Sequence, residues 1–171
     1  MLNILDYKWM LTTDGKKSPK DIFLSSGDFE LDETVAGYIY GAQYRFLMTI
    51  YPLLAEIEFS SARNGNSFSE ETVEFVFKKL APYADLFSWD NPFLQVPIDA
   101  INEEIEGKLV EPKFLPGKLL PQGQIPSDNQ AIFWDMDSGN EHLPIDEAIL
   151  ALVCYYFYGV GTNTKLTSNG G

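Results

Sequence analysis

Histidine and cysteine are nearly missing from this chain: among 171 residues there is one of each, His142 and Cys154. A lone cysteine excludes an intramolecular disulfide and a cysteine-based zinc site, and such sparing use suits a reducing compartment. A lone histidine excludes Ser-His or Cys-His pairs beyond one and any multi-histidine centre within one chain; nothing singles out His142 as half of a catalytic pair. Cations are scarce as well, with 12 Lys+Arg against 25 Asp+Glu and a net charge of -13. A polyanion would be repelled over most of such a surface, so autonomous, non-specific nucleic-acid binding is excluded, although a local contact inside a more basic assembly is not. Long apolar runs are missing too. The longest, Ala148 to Tyr158, is too short to span a bilayer. The N-terminus has no basic-then-apolar leader pattern, since Asp6 follows within a few residues.

What remains is globular in character. Hydrophobic residues make up 45% and charged residues 22%, a balance that excludes wholesale disorder. The length fits one domain able to fold without a metal or disulfide staple. Residues 2–11 alternate loosely between apolar and polar and predict a strand that ends near Trp9 and Leu11, followed by a turn at Thr13–Gly15. Lys16, Lys17 and Lys20 form the only basic cluster, read as a solvated loop or as a patch facing phosphate.

Three principal helices are predicted. The first starts at Asp32, carries Val35, Ile39, Ala42 and Phe46 on one face, and ends or kinks at Pro52. Arg45, inside this apolar stretch, is read as a charged head reaching past a packed helix to water. Ser60 to Asn66 reads as a polar loop. The second helix opens on the capping pattern Ser67-x-x-Glu70, presents Val73, Val76, Phe77 and Leu80, and breaks or kinks at Pro82. The third begins at Pro144 with Asp146 and Glu147 at its positive end, and runs to Tyr158. It is apolar on nearly every face, which predicts a place in the core or against a partner. Between the second and third helices, Pro112, Pro116, Pro121 and Pro126 predict a long loop with at most a short helix near Asp99–Ile105. Ala131–Trp134 reads as a short strand. The fold class expected is α+β, with few short strands, about three main helices and a long Pro-rich loop.

Catalytic motifs are close to absent. Gly159-Val-Gly161-Thr-Asn-Thr-Lys165 lacks the spacing of a phosphate loop and follows a helix instead of a strand. Asp135-x-Asp137-x-Gly139 has its glycine one position early for a calcium loop, and no Glu stands at the twelfth position. With 25 acids, chance carboxylate pairs are common, and none stands out for acid–base work. The reading is of a non-enzyme without metal or cofactor.

The order of features resembles one family. Ile4-Leu-Asp-Tyr-Lys-Trp9 is followed by an apolar helix, then by a second helix closing into Asp85-Leu-Phe-x-x-x-x-Pro92-Phe-Leu-Gln95. After the Pro-rich loop come Asn129-x-Ala-x-Phe-Trp-Asp135, an apolar helix and a Gly-rich tail. This arrangement is similar to the N-terminal portion of the large, CasA-type subunit of the type I-E CRISPR surveillance complex, Cascade. The resemblance spans residues 1–171 as a single domain, and it implies a piece of a longer subunit that stops within a Gly-rich loop. It implies a non-catalytic role: checking the protospacer-adjacent motif on double-stranded target DNA, docking near the 5' end of the guide RNA, and recruiting the helicase-nuclease. Other Cascade subunits would be partners, a membrane would not, and the location would be the prokaryotic cytoplasm.

Carried over by position, Asn129 and either Phe133 or Trp134 correspond to the docking loop that meets the neighbouring subunit and the guide end. Read from the residues alone, these aromatics fit a core strand as well as a partner pocket. Gly161, Gly170 and Gly171 correspond to the Gly-rich loop that approaches DNA, where a backbone without Cβ can come close. Two readings from other classes stand beside this one. An acidic interaction domain could mimic nucleic acid or block a basic partner, and would carry carboxylates at phosphate-like spacing. A hydrolase would show a cleft holding a carboxylate of strongly shifted pKa.

Overall fold

The computed structural model describes residues 2–25, 30–95 and 143–158. The expected strand, Asp99–Ile105 helix and Pro-rich loop between residues 96 and 142 lie outside them. The architecture is α+β, as the sequence predicts: among the described residues there is one small hairpin and a set of helices, with the longest helix at the centre.

The N-terminal segment is less extended than expected. Asn3 forms an isolated antiparallel bridge with Asp85, and the chain then turns at residues 4–6, with Asp6 N–H and Tyr7 N–H donating to the Asn3 carbonyl. The turn lets the adjacent pair Ile4 and Leu5 both face inward. That is why strict alternation fails in the sequence. Among the described residues, regular strand is limited to β1 (Met10–Thr12), paired antiparallel with β2 (Gly15–Lys17). The expected turn is present, with Gly15 at φ 102°, a left-handed conformation suited to glycine.

Lys16 and Lys17 therefore lie on a strand, and Lys20 lies on α1 (Pro19–Leu24), a helix not expected from the sequence. Its signal was short but complete. Ser18 accepts from Asp21 N–H, Asp21 accepts from Ser18 N–H, and Pro19 occupies the first turn. Lys16 pairs with Asp146 and Lys20 with Glu74. These pairs tie β2 to the last helix and α1 to the helix that carries Glu74.

Helix α2 (Gly37–Ile57) begins five residues later than expected. Asp32 serves a turn instead, its carboxylate accepting from the Thr34 N–H at 2.8 Å and the Thr34 hydroxyl at 2.6 Å, while Thr12 bridges Leu31. The helix also passes through Pro52 without ending. Ile50 and Leu54 are both buried, so packing on either side of the exposed proline holds the last turns in place. Ala42, Phe46, Ile50 and Leu54 form the buried stripe. Residues read as a loop at 60–66 form the short α3 (Phe59–Asn64), closed by Gly65 in a left-handed conformation. Helix α4 (Glu70–Leu80) buries Val73, Val76 and Phe77 as predicted, but its cap is Ser69, which accepts from Thr72 N–H, and not Ser67. A single 3-10 turn, Ala81–Tyr83, follows at Pro82.

Helix α5 (Ile145–Tyr158) packs along α2. It buries Ile149, Ala151, Val153 and Cys154, whereas Tyr155, Tyr156 and Tyr158 remain exposed. Its apolar composition thus covers a core face and a solvent-facing aromatic face. The Tyr158 hydroxyl packs over Gly41 of α2, where an added Cβ would run into it. Arg45 reaches water as predicted and also lies 5.2 Å from the centre of the Tyr158 ring. None of the described helices is long and apolar enough to cross a membrane.

Candidate interaction surface

The sequence motifs at the two ends of the first half of the chain meet in space. Trp9 is fully buried, its indole N–H donating to the Ile4 carbonyl at 2.9 Å. Phe46 of α2 meets Trp9 edge-on at 5.2 Å and Phe93 at 6.1 Å between ring centres. An aromatic file therefore joins the N-terminal segment, the central helix and the Pro92–Gln95 motif, and each T-shaped contact adds about 0.5–1.5 kcal/mol beyond burial.

Polar contacts fix the same junction. The buried Asp85 carboxylate accepts from Leu2 N–H at 3.0 Å and Phe87 N–H at 3.2 Å. Ile4 N–H donates to the Ala84 carbonyl, Leu86 N–H to Leu2, and Phe93 N–H to Asp85. The Gln95 side chain closes the loop by donating to the Leu86 carbonyl at 3.0 Å. Leu94 is held at φ 52°, an uncommon conformation for a side chain of its size, and these bonds around it keep it there. The motif residues Asp85, Phe93 and Gln95 are thus the frame of a rigid loop.

What that frame presents is aromatic. Trp89 is 78% exposed, Phe87 65% and Tyr83 66%. The exposed Asp90 adjoins Trp89, and between residues 81 and 95 there is no Lys or Arg. These residues had no expected site role; the signal available was the density of aromatics between Tyr83 and Phe93. The residues that the sequence did single out, Asn129, Phe133, Trp134, Gly161, Gly170 and Gly171, lie outside the described residues.

The surface has little that resembles a reaction centre. Among the described residues no group of three or more His, Cys, Asp or Glu side chains could hold a metal ion. A shallow open depression is lined by Lys8, Lys17, Asp21, Leu24 and Ser25, and its carboxylate, Asp21, is already engaged by the Ser18 N–H. Among the described residues the most shifted carboxylate is Glu58, lowered to about 2 by the Ser61 hydroxyl first, then by the Ser69 N–H and hydroxyl and the Thr72 hydroxyl. That shift is opposite to what a general acid needs, and it belongs to a junction between α2, α3 and the cap of α4. Burial pushes the Cys154 thiol up to about 11, away from nucleophilic use.

The fold is similar to the structure of Thermus thermophilus CasA (Cse1), with a TM-score of 0.59, 20% identity, and coverage of 90% of this chain and 30% of that chain. A second structure, of a CRISPR-associated protein also from Thermus thermophilus, matches with a TM-score of 0.58 at 20% identity, again over 90% of this chain and 30% of the other. This chain therefore spans 30% of the length of these solved structures. Among curated proteins there is no match. The family model for the CRISPR-associated protein Cse1 matches residues 3–171, and with nearly every residue included, the chain belongs to the Cse1 family.

Proposed function

We propose that this chain is a non-catalytic recognition and assembly part of the large subunit of a type I-E CRISPR surveillance complex, in the prokaryotic cytoplasm. It would dock beside other Cascade subunits near the 5' end of the guide RNA. There it would contribute to reading the protospacer-adjacent motif on double-stranded DNA and to recruiting the helicase-nuclease. The observation that carries the reading is membership of the Cse1 family over residues 3–171. The exposed, firmly framed aromatic loop supports a docking role, and the net charge of -13 favours protein contacts over direct, unaided contact with DNA.

In this reading Asn129 with Phe133 or Trp134 forms the subunit-docking loop, and Gly161, Gly170 and Gly171 approach the DNA. The experiment is the double substitution Phe133→Ala and Trp134→Ala, tested for docking on a guide-loaded Cascade backbone lacking its large subunit. Weakened docking by a folded variant is expected. Unchanged docking would remove these residues from the interface, and loss of the folded state would identify them as core.

The acidic composition also favours a second reading, a nucleic-acid mimic. Two of the carboxylates are already neutralised within the fold, Asp146 by Lys16 and Glu74 by Lys20, which weakens that alternative. Displacement of DNA from a basic partner by this chain would support it.

A further inference from the structure

Large aromatics exposed singly are ordinary on protein surfaces, but Tyr83, Phe87 and Trp89 fall within seven residues. Such a group would be costly to immobilise on a mobile loop. Here the ordering is already built in. Asp85 holds the Phe87 N–H, Ser88 Oγ accepts from Asn91 N–H at 3.1 Å, Gln95 holds the Leu86 carbonyl, and the N-terminal segment is bonded along the loop's inner side. Aromatics fixed before binding lose little further freedom on docking, which is the arrangement that concentrates binding energy in a few side chains.

The charge beside them selects the kind of partner. A surface that stacks single-stranded bases pairs its aromatics with cations that track the phosphates. The segment from residue 81 to 95 has no cation, the preceding Lys79 lies over the Phe75 ring of its own helix, and the exposed charge of the segment is the Asp90 carboxylate next to Trp89. A protein pocket that is apolar inside and rimmed by Lys or Arg matches both features.

We infer that Phe87 and Trp89 form a preorganised knob that inserts into an apolar, basic-rimmed pocket on the protein backbone of the guide-loaded complex, with Asp90 facing the rim. The inference rests on the reading given under Proposed function and adds a docking surface to it, separate from Asn129, Phe133 and Trp134.

The test titrates the full chain, the double variant Phe87→Ser with Trp89→Ser, and Asp90→Lys against a guide-loaded Cascade backbone lacking its large subunit. All three positions are exposed, so circular dichroism and thermal melting should match the parent chain. The expected result is a loss of affinity of about tenfold or more for the double variant. A smaller loss is expected for Asp90→Lys, shrinking as salt rises. Parent and double variant binding equally would overturn the knob while leaving the docking role standing. Failure to bind by both the parent chain and a longer chain of the length of its solved relatives would overturn both readings. Quenching of Trp fluorescence by a short single-stranded oligonucleotide at physiological salt, abolished by Trp89→Ser, would overturn the protein-partner assignment.

Discussion

The Tyr158 hydroxyl occupies the space that a Cβ at Gly41 would need, and the ring of the same tyrosine lies 5.2 Å beneath the Arg45 guanidinium. The Tyr158 side chain thereby links Gly41 and Arg45 of α2 to the last turn of α5.

This coupling is measurable. Gly41→Ala gains about 1 kcal/mol of helix propensity but must move Tyr158, losing a cation–π contact of about 0.5–1 kcal/mol. Its net effect in the parent chain is expected to be near zero. In a Tyr158→Ala background the same change should stabilise by about 1 kcal/mol. Urea denaturation of the four proteins in the cycle checks this; equal effects in both backgrounds would contradict the contact.

Asp85 is expected to hold the N-terminal segment against the aromatic loop. Asp85→Ala removes the shared acceptor of Leu2 N–H and Phe87 N–H and should lower stability by about 2–3 kcal/mol. Faster amide exchange at Leu2, Ile4 and Phe87 than elsewhere in the variant would locate the loss, and protection equal to the parent chain would refute it.

The Glu58 junction predicts a pH dependence of known sign. Its carboxyl is lowered from 4.5 to about 2 in the folded chain, so its stabilising effect is fully present above about pH 4.5 and is lost as pH falls towards 2. Glu58→Gln should melt at a lower temperature than the parent chain at neutral pH, and the difference should vanish on acidification through that window. A difference constant from about pH 6 to about pH 2 would rule the junction out.

Cys154 should be silent towards thiol reagents. It is buried on α5, and its thiol is raised to about 11, so little thiolate exists at about pH 8 and reagents have little access. Slow labelling in native buffer and prompt labelling in denaturant is the expected pattern. Equal rates would show that the α2–α5 contact opens freely.

Gln43 illustrates a demand that periodicity does not reveal. It is fully buried on α2, and its side-chain carbonyl accepts from Leu11 N–H at 2.6 Å, while its Nε2 has no hydrogen-bond partner among the described residues. Gln43→Met would leave the Leu11 donor unsatisfied and should cost about 1–3 kcal/mol, read by chemical denaturation. A fully stable variant would show that the β1–α2 link is dispensable.

How much of this was legible in the residues depends on the range of the forces involved. The apolar faces of α2, α4 and α5 were readable because helical period and burial coincide at Ala42 and Phe46, at Val73, Val76 and Phe77, and at Ile149 and Val153. Helix ends were less readable, since Asp32 found a better partner in Thr34 and Ser69 displaced Ser67 as a cap. Pro52 misled because its local penalty is outweighed by the burial of Ile50 and Leu54. The meeting of Trp9 and Phe93 on Phe46 is a tertiary event with no local signature. Three of the residues quoted for the family resemblance, Asp85, Phe93 and Gln95, frame a loop whose exposed tip had no expected role.

The proposed place of this Cse1-family chain as an assembly part of a CRISPR surveillance complex is tested most directly by co-elution. The purified chain is mixed with a guide-loaded Cascade backbone lacking its large subunit, at moderate salt. Saturable one-to-one binding, weakened by Phe87→Ser with Trp89→Ser, is the predicted result. The absence of binding, both by this chain and by a longer chain of the length of its solved relatives, would contradict it.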